Sequence, residues 1–343
     1  MNAVRPGFDW DSIDTTPLIE KVDRDHLGRP LIVPPEGGRA VPYTRCTTFA
    51  GKIEDEYGLT RWKQRMTAIG VAGRPDLILS VNAHRDDKKA LDGIVRDAMD
   101  AAKAGVAASI GTSLHKLTEY IDRGEPLPPV PAEYVNDLLA YREAMAPLKV
   151  TGIERFTVLD GLRIGGTHDR TAEYLGRTYI DDLKTGSITY AELKIAIQLA
   201  IYSRSVVYAA PGPAKDADGK WIEYTAEQAA AARTPLGVDQ DRAIVCHLPA
   251  GTGTGSLYWV DIAAGWDAVR TVVDVEEWRK RKDLFEEWPH VEPDLAALIA
   301  GAPDRATIEA IWARHVAAWT DDLTAQAKDR IAALTAGRTT ANV

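Results

Sequence analysis

Between residues 165 and 202 the chain reads Gly-Gly-Thr-His-Asp-Arg, then Tyr-Ile-Asp-Asp-Leu-Lys-Thr-Gly, then Gln-Leu-Ala-Ile-Tyr, which brings Asp169, Asp182 and Lys184 close together in sequence. Asp169 ends one apolar run and Asp182 lies in the next, thirteen residues on. That separation suits neighbouring strands of a hairpin with both carboxylates reaching one divalent cation. Side chains at i and i+2 share a face of a strand, so Asp182 and Lys184 point together while Leu183 points into the core. Oxygen ligands suit Mg²⁺ or Mn²⁺. Such a cation neutralises charge on phosphoryl oxygens and supplies hydroxide near neutral pH, which is what hydrolysis of a phosphodiester needs. An ammonium beside it orients the attacking water or stabilises the developing pentacoordinate charge.

Taken singly, these residues are equivocal. Asp182 with Lys184 reads equally as a surface ion pair worth under about 1 kcal/mol, and Asp169 with Arg170 as an ordinary exposed strand pair. The order of several motifs is more specific. Gly166 with Asp169, then Asp182, Lys184, Thr185 and Gly186, then Gln198 with Tyr202 match in sequence the Gly-x-x-Asp, Asp-x-Lys-Thr-Gly and Gln-x-x-x-Tyr motifs of one family. Upstream, Ile110 to His115 is similar to that family's Gly-Thr-x-x-His motif. The chain thus resembles the PD-(D/E)XK nuclease superfamily and, within it, the RecB-like exonuclease branch, over roughly residues 105 to 262.

The resemblance implies a restriction-endonuclease-like α/β sandwich around a mixed sheet, with added helices at both ends. It implies that His115, Asp169, Asp182 and the backbone carbonyl of Leu183 hold the Mg²⁺ or Mn²⁺. Asp169, Asp182 and Lys184 would be catalytic, and Gln198 and Tyr202 would bind substrate. Lys194, Gln198 and Tyr202, four apart, form a polar row that the resemblance aims at the active site and the DNA backbone. DNA is the implied substrate, phage or bacterial recombination and repair the implied setting, and a strand-annealing protein a possible partner. Iron–sulfur relatives use four cysteines, whereas this chain has only Cys46 and Cys246, so no iron–sulfur cluster is expected. No Gly-x-x-x-x-Gly-Lys-Ser/Thr loop occurs, which points to a stand-alone nuclease without a motor. The rivals are a non-catalytic DNA-binding or scaffold protein retaining the fold, and a restriction-type endonuclease with the same site but a different product.

Composition sets the outer bounds. At 343 residues, with 45% hydrophobic and 27% charged residues, the chain has room for one large domain with an appended module. No apolar run approaches the roughly 20 residues needed to span a bilayer, and the start lacks a signal peptide's regions, so a cytoplasmic protein with no membrane partner is expected. Two distant cysteines read as free thiols. The net charge of −9 argues against a protein that coats nucleic acid. Residues 39–74, however, carry seven basic side chains (Arg39, Arg45, Lys52, Arg61, Lys63, Arg65, Arg74) against Glu54, Asp55 and Glu56, a local basic path for a strand.

The elements that must position these residues follow from periodicity. Residues 1–40 read as an irregular N-terminal arm, 41–287 as the core and 288–343 as a C-terminal helical module. Helical patterns cover 47–66 and 86–108, Thr112 is a candidate cap for the helix carrying His115 and Glu119, and another helix covers 131–146. Strands are expected at 150–159, 162–174 and 178–184, the first two joined by Asp160-Gly161. A helix over 190–208 follows, then an insertion over 211–241 with a short Ala-rich helix. Strands at 242–248 and 257–262 flank a Gly/Thr-rich turn, 251–255, that reads as a flexible hairpin tip, and a helix over 263–287 closes the core. In the C-terminal module Ile308, Ile311, Trp312, Val316, Trp319, Leu323 and Ala327 recur at helical spacing.

Overall fold

The computed structural model describes residues 22–287 and 292–339. The chain divides into two compact units, with the break between Lys280 and Arg281, a few residues ahead of the expected boundary at 288. Half of the expected N-terminal arm, 1–21, lies outside the described residues. The other half is not irregular surface cover. Val22, Ile32, Val33 and Ala40 are buried. Strand β1 (Leu31–Ile32) pairs with β3 (Val41–Pro42), and β2 (Gly38–Arg39) pairs with residues Glu223–Tyr224 of the insertion. The arm lacks periodicity because its apolar residues are taken up by two-residue pairings, too short to leave a pattern.

β4 (Thr44–Arg45) leads into α1 (Cys46–Ala50), and α2 (Tyr57–Ala72) follows. The helix expected over 47–66 is therefore interrupted. The Asp55 side chain accepts the N–H of Tyr57 at 2.9 Å, an Asx turn that begins a new helix. α3 (Pro75–Ala83) and α4 (Lys88–Ala101) come next, and α4 stops short of the expected 108. Lys103 takes a left-handed backbone at φ 56°, which no continuing helix permits, and α5 (Val106–Asp122) starts afresh. Thr112 is interior to α5, its hydroxyl donating to the Ala108 carbonyl at 3.0 Å, so it is not a cap. α6 (Ala132–Met145) precedes the central strands.

β5 (Lys149–Leu159), β6 (Ile164–Tyr174) and β7 (Arg177–Lys184) form an antiparallel meander. The β6–β7 turn holds Leu175 and Gly176 at φ 49° and 76°, the paired positive values of a two-residue hairpin whose twist matches the strands. α7 (Glu192–Ser203) is shorter than the helical pattern over 190–208 suggests, because Val206 and Val207 leave it to form β8 (Val206–Tyr208) against Val158 and Thr157 of β5. After β9 (Glu223–Tyr224), α8 (Ala226–Ala231) and β10 (Arg233–Pro235), the chain returns as β11 (Arg242–His247), β12 (Ser256–Asp261) and α9 (Ile262–Lys280).

Seven strands run in the order β10-β8-β5-β6-β7-β11-β12, with β4 also pairing β6; the sheet is mixed, since β7–β11 and β4–β6 are parallel. Helices cover both faces. Ile164, Ile180, Ala243 and Val245 pack with α1, α7 and α9 on one side. Val150, Ala172, Tyr179, Leu183 and Ile244 pack with Tyr141 and Met145 of α6 on the other. α7 and α9 touch at Gly265, where a Cβ would lie 2.4 Å from the Ala196 carbonyl oxygen. The 251–255 turn is pinned. Buried Asp137 accepts the N–H groups of Gly251 and Gly253, both at 2.7 Å, so the nest of donors is filled by the protein's own carboxylate.

The second unit consists of α10 (Leu295–Gly301), α11 (Arg305–Arg314) and α12 (Asp321–Thr339), with Ile299, Ala302, Ile308 and Ala327 at its centre. Trp319 packs there and donates to Thr324, whereas Trp312 is half exposed. Among the described residues no helix is long and apolar enough to cross a membrane.

Candidate metal centre

The site residues gather at a gap in the sheet. β6 pairs with β4 at Ile164 and Gly165, and with β7 from Arg170 to Tyr174. Between those ladders, positions 166–169 have no strand partner on that edge among the described residues. Arg170 opposite Asp181 is the last rung before β6 and β7 diverge, so Asp169 and Asp182 face each other one step into the gap. Here the regular alternation of β6 also slips. Ile164 belongs to the core on the α7 side and Ala172, of the same parity, to the core on the α6 side. The ladder to β5 runs Arg155 to His168 and Ile153 to Arg170, passing over Glu154, whose φ is 50°. Asp169 sits at this slip.

Across the gap, Asp169 Oδ2 accepts the Leu183 N–H at 2.9 Å and lies 3.3 Å from His115 Nδ1. Lys184 Nζ is 2.5 Å from Asp182 Oδ2, with Asp182 only 2% exposed. Leu183 between them is wholly buried on the α6 side, as strand alternation requires. Burial, and then the negative charge of Asp169, push the Asp182 carboxyl up to about 6. Burial works to lower the Lys184 ammonium, but Asp182 and Asp169 outweigh it and hold it above its ordinary value. Burial lowers His115, against the pull of Asp169, which favours the neutral imidazole a metal needs.

The motif glycines have physical partners. A Cβ on Gly111 would lie 2.7 Å from Thr185 Oγ1, so the Gly-Thr segment of α5 and the Lys-Thr-Gly end of β7 pack directly together. A Cβ on Gly166 would sit 3.0 Å from both the Tyr202 hydroxyl and Cys46 Cβ. Gln198 and Tyr202, the residues expected to bind substrate, are both buried on α7. Tyr202 is 2% exposed and Gln198 9%, and the tyrosine fills the space that Gly166 leaves. Both support the site from behind, because α7 is buried nearly all round. Lys194, the third member of the row, pairs with Glu54 at 2.7 Å. In the basic stretch, Lys52 pairs with Glu276 and Arg74 with Asp76, while Arg39, Arg45, Arg61, Lys63 and Arg65 are exposed, the last three on α2.

Two groups escape the sequence reading. Glu154 is half-buried near Asp169 and Glu119, and burial followed by those charges pushes it up to about 7. Its only sequence signal is a charge inside an otherwise strand-like run. Arg170 is buried at 1% exposure, so it is no exposed strand residue. Its guanidinium donates to Asp122 Oδ2 at 2.5 Å and Thr118 Oγ1 at 2.7 Å, and lies 5.1 Å over the Tyr141 ring. Thr118 and Asp122 follow His115 at helical spacing, a pattern that Arg170 makes meaningful only in three dimensions. His168, next to Asp169, is fully buried beside the Tyr202 ring, and burial drops it to about 4.

Among the described residues, no three His, Cys, Asp or Glu side chains close into a ready-made metal cage. What stands in the gap is an open set of two carboxylates and an imidazole. A buried carboxylate held beside a second one is costly without a cation, and this donor set suits Mg²⁺ or Mn²⁺. No protein-family model matches the chain, and no curated protein matches it in sequence.

Proposed function

We propose that this chain is a Mg²⁺- or Mn²⁺-dependent deoxyribonuclease of the PD-(D/E)XK superfamily, RecB-like in its motifs and exonucleolytic in its product. One observation carries the reading. His115, Asp169, Asp182 and Lys184, from a helix and two strands, meet at one gap in the sheet, with His115 3.3 Å from Asp169 and Lys184 2.5 Å from Asp182. Asp169, Asp182, His115 and the Leu183 carbonyl would hold the ion. When bound, the ion supplies charge neutralisation at the phosphoryl oxygens and a water acidic enough to attack. The chain's own contribution is placement. Asp169 is fixed by the Leu183 N–H, and His115 presents a neutral ring to the same carboxylate. Lys184 keeps a positive charge in a partly dry site, where it stabilises charge developing on the phosphate.

The restriction-endonuclease-like form of the sandwich, DNA as substrate and a recombination setting with a strand-annealing partner belong to this same reading. The test is a time course with Mn²⁺ on end-labelled linear DNA and on closed circular DNA. Loss of linear DNA from its ends, with the circle intact, is the expected result. Cutting of the circle would make the protein an endonuclease, and no metal-dependent cleavage of either would overturn the reading.

A further inference from the structure

Arg170 and Asp122 lie behind the site, on the α6 side of the sheet, and touch none of the reacting groups. They nonetheless join the two elements on which the site depends. Arg170 belongs to β6, next to Asp169, and is the last rung opposite Asp181 of β7. Asp122 and Thr118 belong to α5, the helix of His115. The guanidinium reaches both, at 2.5 and 2.7 Å, while the Tyr141 hydroxyl donates to the other Asp122 oxygen at 2.6 Å. A third nitrogen, Nη1, is 3.8 Å from Asp181 Oδ2. All five side chains, Arg170, Asp122, Thr118, Tyr141 and Asp181, are buried.

An arrangement of this kind is a poor stabilising device. Taking an arginine and two aspartates out of water costs several kcal/mol per ion, and well-packed apolar residues often do as well or better. What a planar guanidinium does provide is direction, since its fork accepts partners only at fixed angles. Here the fork fixes α5 against β6 a turn or two beyond His115. We infer that Arg170, through Asp122 and Thr118, is a positioning residue that sets the separation of His115 from Asp169. The inference rests on the metal-site reading above.

The experiment uses full-length protein labelled with ¹⁵N-histidine and compares wild type with Asp122→Asn, which keeps the shape but weakens the fork. Three quantities are read: melting temperature, Mn²⁺ affinity by calorimetry and the ring resonances of His115. Asp122→Asn is expected to fold, to shift the His115 resonances and to weaken Mn²⁺ about tenfold, the usual cost of removing a residue that orients a metal ligand. In a His115→Ala background the same change should cost no further affinity, because its effect passes through His115. Wild-type affinity with unmoved His115 resonances in the folded variant would overturn the inference, as would losses that simply multiply in the double variant. If wild type binds no Mn²⁺ yet Asp122→Asn still moves the His115 resonances, the positioning role stands and the metal reading falls. Should Asp122→Asn fail to fold, Thr118→Val removes a single acceptor and is judged by the same readouts.

Discussion

Replacing Asp182 by asparagine should make the metal-free protein more stable while abolishing its response to metal. Asp182 is 2% exposed and its carboxyl is pushed up to about 6 by burial and by Asp169. An acid whose folded value is raised keeps a proton that the unfolded chain has already released, so the cost of ionising it falls on the fold as pH rises from about 4 through about 6. Above that window the penalty reaches roughly 3 kcal/mol. Asparagine removes it, and the loss of the Lys184 ion pair at 2.5 Å is already counted in that net figure, because Lys184 is among the groups that pull the Asp182 carboxyl back down. The balance is a gain of about 3 kcal/mol at pH 8, a rise of several degrees in melting temperature, and roughly half of that at pH 5, midway through the window, where the unfolded carboxyl is already ionised and the native one is not. Saturating Mn²⁺, at about 100 times its Kd, should add about 2.7 kcal/mol to wild type and little to the variant. Thermal unfolding at pH 5 and pH 8, with and without Mn²⁺, reads all four cases. A variant that is less stable at pH 8 and still stabilised by Mn²⁺ as strongly as wild type would refute the reasoning.

Lys184→Ala should lower cleavage by orders of magnitude yet leave Mn²⁺ and DNA affinity near wild type, because the ammonium acts on charge that develops only in the transition state; an equal fall in DNA affinity would make it a phosphate-binding residue. His115→Ala should cost more activity with Mn²⁺ than with Mg²⁺, since an imidazole matches the softer ion. In wild type, Mn²⁺ affinity should survive somewhat below pH 6.5, because burial lowers His115 and preserves its neutral form; equal losses with both ions would remove His115 from the ligand set. Tyr202→Phe should leave DNA affinity unchanged, as the ring is buried, whereas Gly166→Ala should destabilise by about 1–3 kcal/mol through overpacking, its new Cβ lying 3.0 Å from the Tyr202 hydroxyl. Calorimetric melts and filter binding check the pair, and a strong binding defect in Tyr202→Phe would restore it as a substrate contact.

Local pattern alone was enough for much of this molecule. The apolar runs on either side of Asp160-Gly161 and before Lys184 specify the β5–β6–β7 meander, because a period of two has one outcome once a turn is fixed. The same period puts Leu183 in the core and Asp182 beside Lys184. What the sequence could not decide are the places where distant segments compete for a residue. Val206 and Val207 continue a helical pattern, yet β5 claims them as a strand; Lys103 breaks a helix that its neighbours would continue. Tyr202 stands on an apparent polar row, but α7 is enclosed on nearly all sides, so its hydroxyl meets Gly166 and Cys46 rather than solvent. Arg170 looks like half of a surface pair until Asp122 and Thr118, some fifty positions upstream, come to meet it. Glu154 joins the charges around Asp169 because the register of β5 and β6 sets the two opposite each other, between the Ile153–Arg170 and Arg155–His168 pairs. Spacing along one strand or helix is set by backbone geometry and is legible in the chain; which faces meet is set by burial of the whole core, which only the tertiary structure resolves.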